Sequence, residues 1–256
     1  MPKVKALSVK KRDKELFAPF DVVSELISSQ ISTKRTNADN RIIADILGEE
    51  SVTPQNSVLP KETIDFIHSI MGLFGSYGRF DTHKKMFRAY PWNGKISKSE
   101  HIEATYQLFI HECYIFEERL KKFIDNTKLY AISQNIVIDT RHLGVILKIH
   151  KRVFKSALAA RGIHVHNYEY KPREIERIGL LELFALPYAS NSELKNISRM
   201  LMPQALKAAR KKWIANCDAA KDSAEQIMKA LFALTKPVWR NLKKESNRRR
   251  NKKAPQ

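Results

Sequence analysis

The chain has 256 residues, with 46 basic against 27 acidic side chains, a formal net charge of +19, and 43% hydrophobic residues. That length supports an apolar core without staples, and two distant cysteines, Cys113 and Cys217, exclude both a disulfide-built secreted scaffold and a CxxC pair. No apolar run is long enough to span a bilayer, and Met1-Pro2-Lys3-Val4-Lys5 leads to Lys10-Lys11-Arg12 rather than to an apolar signal segment. The expectation is a cytoplasmic protein with no membrane partner.

Residues 1–14 are basic, lack periodicity and read as a disordered tail. From Glu15 the apolar residues Leu16, Phe17, Phe20, Val23, Ile27 and Ile31 recur at helical spacing, with Pro19 near the start. A short helix from Ala38 to Leu47 follows, stopped by Gly48, and Glu49 to Pro60 reads as a loop. The next helix begins near Lys61, with Ile64, Ile67, Met71 and Phe74 inward, and is expected to end in Gly75-Ser76-Tyr77-Gly78. Between Arg79 and Ser99 lie Pro91, an Asn93-Gly94 turn signal, and Phe87, Tyr90 and Trp92, which could cap the core or stack on bases. The 15–96 stretch is thus an N-terminal, loop-rich helical region.

The clearest helix runs from Glu100 to Asn126, where Tyr106, Phe109, Cys113, Phe116, Leu120 and Phe123 alternate spacings of three and four. Glu112, Glu117 and Glu118 are expected on its solvated side. Ile136-Val137-Ile138 could be a short strand or an extended connector. Asp139 or Thr140 can cap a helix carrying Leu143, Ile146, Leu147, His150, Val153, Phe154, Ala157 and Leu158 as far as Arg161. Pro172 fits the first turn of a helix bearing Ile175, Ile178, Leu181, Leu183 and Phe184, which stops before Pro187. Ser190, Asn191 or Ser192 caps a short helix through Leu194, Ile197 and Leu201, and Pro203 opens a long last one reaching Leu234. Beyond 240 the chain reads as a second disordered basic tail, 241–256, whose Lys243, Lys244, Arg248, Arg249, Arg250, Lys252 and Lys253 can bind phosphate backbones without reading sequence. The fold class is all-α, a helical bundle spanning 97–240 preceded by loop-rich N-terminal helices.

The charge attracts polyanions, so RNA, DNA or an anionic surface is the favoured class of partner, and nucleic acid, RNA first, is the partner expected. The chemistry concentrates at Ala160-Arg161-Gly162-Ile163-His164-Val165-His166-Asn167. Arg161 continues the apolar stripe of its helix. Gly162 can release that helix in a left-handed conformation, and extended residues after it would place His164 and His166 on one face. An arginine grips a phosphate bidentately and a histidine moves protons near neutral pH, a pairing suited to phosphodiester cleavage. His164-x-His166 could also ligate a metal with His150, His142 or the His111-x-Cys113 pair, but local spacing fixes no third ligand. No metal or other cofactor is expected.

Arg161, four intervening residues and His166, set between two amphipathic helices, resemble the signature of the HEPN superfamily, and His164-Val165-His166-Asn167-Tyr168-Glu169-Tyr170 adds to the likeness. The resemblance covers residues 97–240. It implies a HEPN-like all-α bundle that forms a homodimer with two motifs facing each other. It also implies metal-independent endoribonuclease activity, in which the RNA 2′-hydroxyl attacks and a cyclic phosphate is left. Arg161 would then hold the scissile phosphate and His166 would take or deliver the proton, with His164 and Asn167 as auxiliaries. A toxin or defence role, with an antitoxin or regulatory protein as partner, goes with that reading. One departure is Gly162, where the family commonly has a polar residue such as asparagine. The alternative is a non-catalytic helical module that binds RNA or protein.

Overall fold

The computed structural model describes residues 14–30, 59–89, 96–167, 171–186 and 191–253. Among them are eight helices: α1 (Lys14–Gln30), α2 (Lys61–Arg88), α3 (Lys98–Ser133), α4 (Thr140–Val153), α5 (Lys155–Asn167), α6 (Arg173–Ala185), α7 (Ser192–Leu234) and α8 (Lys236–Lys253). No strand occurs among the described residues, so 136–138 is a connector. The expected helix at 38–47, the tail at 1–13, and Tyr90, Trp92 and Asn93-Gly94 lie outside the described residues.

The chain divides into two compact units, and α2, α3, α4 and α7 contribute to both. The first unit takes Met1–Met71, Phe123–Leu143 and Met228–Gln256. Its core is aromatic. The Phe66 ring lies 5.6 Å from Phe123, 5.3 Å from Tyr130 and 5.1 Å from Trp239. Phe232 meets Trp239 edge-on at 5.8 Å, and the Trp239 indole donates to Thr235 Oγ1. Each such ring contributes about 1.5–3 kcal/mol by leaving water. α1 packs on α8, with Leu16 and Val23 buried on one side and Val238 and Leu242 on the other.

The segment expected to be a disordered tail from 241 is therefore helical as far as Lys253. Val238, Trp239 and Leu242 stand at helical spacing and anchor the first turns, while lysine and arginine are good helix formers that carry the helix on. Pro237 occupies the first turn of α8, where its missing N–H costs nothing.

The second unit takes Gly72–Lys122 and Gly144–Ile227. The α3 stripe does what its spacing demands, and Tyr106, Phe109, Cys113, Phe116 and Leu120 are all buried. Phe80 and Phe154 stack at 6.3 Å and Phe116 approaches both. The start of α3 is doubly secured. Ser97 and Glu100 form a reciprocal capping box, and Glu182 of α6 accepts the Lys98 and Ser99 N–H groups at 2.7 and 3.1 Å.

Several helix ends fall elsewhere than the spacing predicts. α2 does not stop at Gly75-Ser76-Tyr77-Gly78 but runs through it to Arg88. A β-carbon on Gly72 or Gly75 would sit 3.7 or 3.5 Å from the Arg119 side chain, so these glycines make room for a guanidinium lying along the helix. The helix expected from 140 to 161 breaks at Phe154 and resumes as α5, which continues through Gly162 to Asn167. The expected helices on either side of Pro203 are one helix, α7, with the proline inside it. Met71, expected inward, is exposed, as are Leu183, Phe184, Leu194 and Ile197.

Candidate phosphate site on helix α5

α4 is held at its start by Asp139, whose Oδ1 accepts the Arg141 and His142 N–H groups. Its inner face carries Leu143, Ile146, His150 and then Phe154. Lys148, Lys151, Arg152 and Lys155 recur at spacings of three and four on the other side, and all four are exposed. From Thr140 to Asn167 there is no aspartate or glutamate. The exposed face of α4 and the start of α5 therefore present cations undiluted by nearby carboxylates of their own segment.

Arg161 ends this series. It is half-buried, and its guanidinium carbon lies 3.6 Å from the centroid of the Tyr114 ring on α3. A cation over an aromatic face is held by the ring quadrupole while its in-plane N–H groups stay free to donate. The Arg161 Nε is buried and has no hydrogen-bond partner among the described residues. Tyr114 is itself backed by the His111 ring, stacked at 6.4 Å.

His164, His166 and Asn167 lie on α5, so the extended conformation expected after Gly162 is replaced by helix. Gly162 sits within the run with nothing among the described residues inside 4 Å of a β-carbon built on it. Alanines at 157, 159 and 160 are strong helix formers and propagate the helix across the glycine. On a helix, positions 161 and 166 are about 140° apart around the axis, whereas 161 and 164 are about 60° apart. One copy of α5 thus does not bring the Arg161 and His166 positions to one side. The side chains of His164, His166 and Asn167 are outside the described set.

On α8, Lys243, Lys244 and Arg248 are exposed. Of Arg249, Arg250, Lys252 and Lys253 only the helical backbone is described. Among the described residues no group of three His, Cys, Asp or Glu side chains is arranged to hold a metal ion. No helix among them is long and apolar enough to cross a membrane.

The composition and spacing do not reveal two buried polar clusters in this unit. Glu112 and Glu117, expected to be solvated, are only 4% and 5% exposed. Glu112 accepts from the Ser76 hydroxyl and from Arg79 Nε at 2.5 Å, and Arg119 donates to Ser76 Oγ and to the Gly72 carbonyl. His150 is fully buried against Phe116 and Phe154, with Nδ1 4.0 Å from Glu117 and neither ring nitrogen hydrogen-bonded. Burial pushes its pKa down to about 4, the Glu117 carboxylate opposing and Lys121 and Lys151 adding to the shift. His83, buried against the edge of Phe109, is lowered for the same first reason. The available signal was positional. Glu112 and Glu117 flank the Phe109-Cys113-Phe116-Leu120 stripe by one residue, and a helix surrounded on more than one side buries those flanks.

No family model, curated protein or solved structure matches this chain. Its function therefore rests on the chemistry of its own residues.

Proposed function

We propose that the chain binds RNA through its phosphate backbone and that Arg161 holds one phosphate for metal-independent cleavage of the HEPN type, with His166 as proton carrier. The observation that carries this reading is the half-buried Arg161 guanidinium, held over the Tyr114 ring at the end of a cationic segment free of carboxylates. A phosphate oxygen is the natural acceptor for a guanidinium. The separation of positions 161 and 166 around α5 fits an active site completed by a second copy, in which the histidine of one α5 meets the arginine of another. The partner class is single-stranded RNA, and the assembly is a homodimer.

A second reading is favoured by that same separation: a non-catalytic RNA-binding module in which Arg161 only grips phosphate. One experiment divides the two. End-labelled single-stranded RNA is incubated with the protein in excess chelator, and products are tested for cyclic phosphate ends. The nuclease reading expects cleavage that Arg161→Ala and His166→Ala each abolish, with unchanged melting temperature. Cleavage that persists in both variants refutes the assignment of the site. Binding that weakens in Arg161→Ala, with no cleavage by any form, leaves the binding module.

A further inference from the structure

We propose that a groove along α7, bordered by the start of α3 and the end of α6, docks an acidic amphipathic helix of a partner protein. It is built from two adjoining cavities of about 810 and 450 Å³ that share Lys98, Met202 and Pro203. On α7 the lining residues run from Arg199 to Asp218 along one side of the helix, a length of about 28 Å. A second helix of about five turns matches that length.

Two chemistries meet in the groove. Met202, Pro203, Leu206 and Ile214 give it an aliphatic floor, and Lys98, Arg199, Lys207, Arg210 and Lys211 line it with positive charge. Among the described residues none of these five cations is in an ion pair, whereas Lys212 and Lys221 of the same helix are held by Glu174 and Asp81. The two carboxylates that line the groove are both engaged. Glu182 accepts from the Lys98 and Ser99 N–H groups and from the Ser99 hydroxyl, and Asp218 is paired with Lys84. The positive charge beside the apolar floor is therefore left for a ligand to neutralise.

Charge and shape select the occupant. The cations from Arg199 to Lys211 are spread over about 18 Å of helix, so their partner carries several anions along its length, unlike a lipid with a single headgroup. An RNA strand has such anions, but its unpaired bases stack on aromatic rings, and the described floor is aliphatic. A second copy of the chain brings a formal net charge of +19 and is repelled. A helix with an apolar stripe flanked by glutamates or aspartates satisfies both the floor and its cations. This surface stands whether or not the chain cuts RNA.

The experiment follows fluorescence anisotropy of labelled probes on the full chain at about 0.15 M salt. One probe is a helical peptide of about 18 residues with leucines at spacings of three and four, flanked by glutamates. A second has the same composition in scrambled order, and a third is a single-stranded oligoribonucleotide. Lys207 and Lys211 are exposed, so Lys207→Glu with Lys211→Glu reverses the groove without entering the core. Lys85→Glu with Lys122→Glu makes the same change in net charge at exposed positions of α2 and α3 that do not line the groove. The wild type is expected to bind the striped peptide about tenfold more tightly than the scrambled one. The groove reversal should erase that preference, and the control pair should change it by less than about twofold. If the groove reversal lowers the melting temperature, Lys207→Gln with Lys211→Gln takes its place. Equal binding of the two peptides, or equal losses in both charge variants, means attraction by net charge alone and overturns the docking groove. Oligoribonucleotide binding that only the groove reversal abolishes, with no preference between the peptides, gives the groove to RNA and overturns it as well.

Discussion

At the scale of single residues, two positions carry expectations that can be measured directly. Gly162 lies inside α5 with open space around its α-carbon. Glycine there costs helix stability through backbone entropy. Gly162→Ala should therefore raise stability by about 0.5–1 kcal/mol in chemical denaturation. A left-handed residue at that position would instead be destabilised by the same change, so a loss of stability would restore the helix end that the glycine suggests in the sequence. His150 sets a pH dependence. The unfolded chain protonates this histidine near its ordinary pKa of about 6.5, whereas the folded chain does so only near 4. Between those values the unfolded state binds more protons, so stability is lost as pH falls through that window and is flat, for this group, above it. The full effect is about 3 kcal/mol. Urea midpoints at pH 7.5 and pH 5 should differ by the part of it developed by pH 5, about 2 kcal/mol, and His150→Phe should flatten the difference. His83, shifted in the same direction, adds to the slope with the same sign.

At the scale of elements, α4 is the helix whose two faces follow most directly from its pattern. Leu143, Ile146 and His150 turn inward, and Lys148, Lys151 and Arg152 face out, as spacings of three and four require, with Phe154 buried and Lys155 exposed just beyond the end of the helix. Replacing Lys148, Arg152 and Lys155 by glutamate should weaken single-stranded RNA binding. It should also lower the dependence of log affinity on log salt by about one unit for each phosphate that the protein then leaves unneutralised. A slope equal to that of the wild type would remove α4 from the interface. The buried stripe of α3 was legible, although the helix runs on to Ser133, past the end expected at Asn126, and α6 was legible from Pro172, which stands directly before its first turn. α2 was not legible past Gly75, because the glycines that signal a break by composition serve here to admit Arg119, a residue more than forty positions away. α8 was missed for a related reason. Its charge resembles that of an unfolded tail, and only three apolar residues, Val238, Trp239 and Leu242, reveal that it has a face to bury.

At the scale of the whole molecule, the all-α class, the buried α3 stripe and the cationic surplus could all be read from the chain alone. Each depends on local spacing or on composition, and neither needs a partner to be known. The sequence also singles out Arg161, at the end of an apolar stripe. The surroundings of that arginine were not legible. That Tyr114 lies under the guanidinium and that Glu112 and Glu117 are buried were decided only by tertiary structure. A helical stripe states which residues seek cover, but the width of that cover depends on how many other helices arrive and at what distance. Arg161 likewise carries its charge in the sequence, while the aromatic face that orients it comes from a residue 47 positions earlier, on a helix that packing alone brings to it.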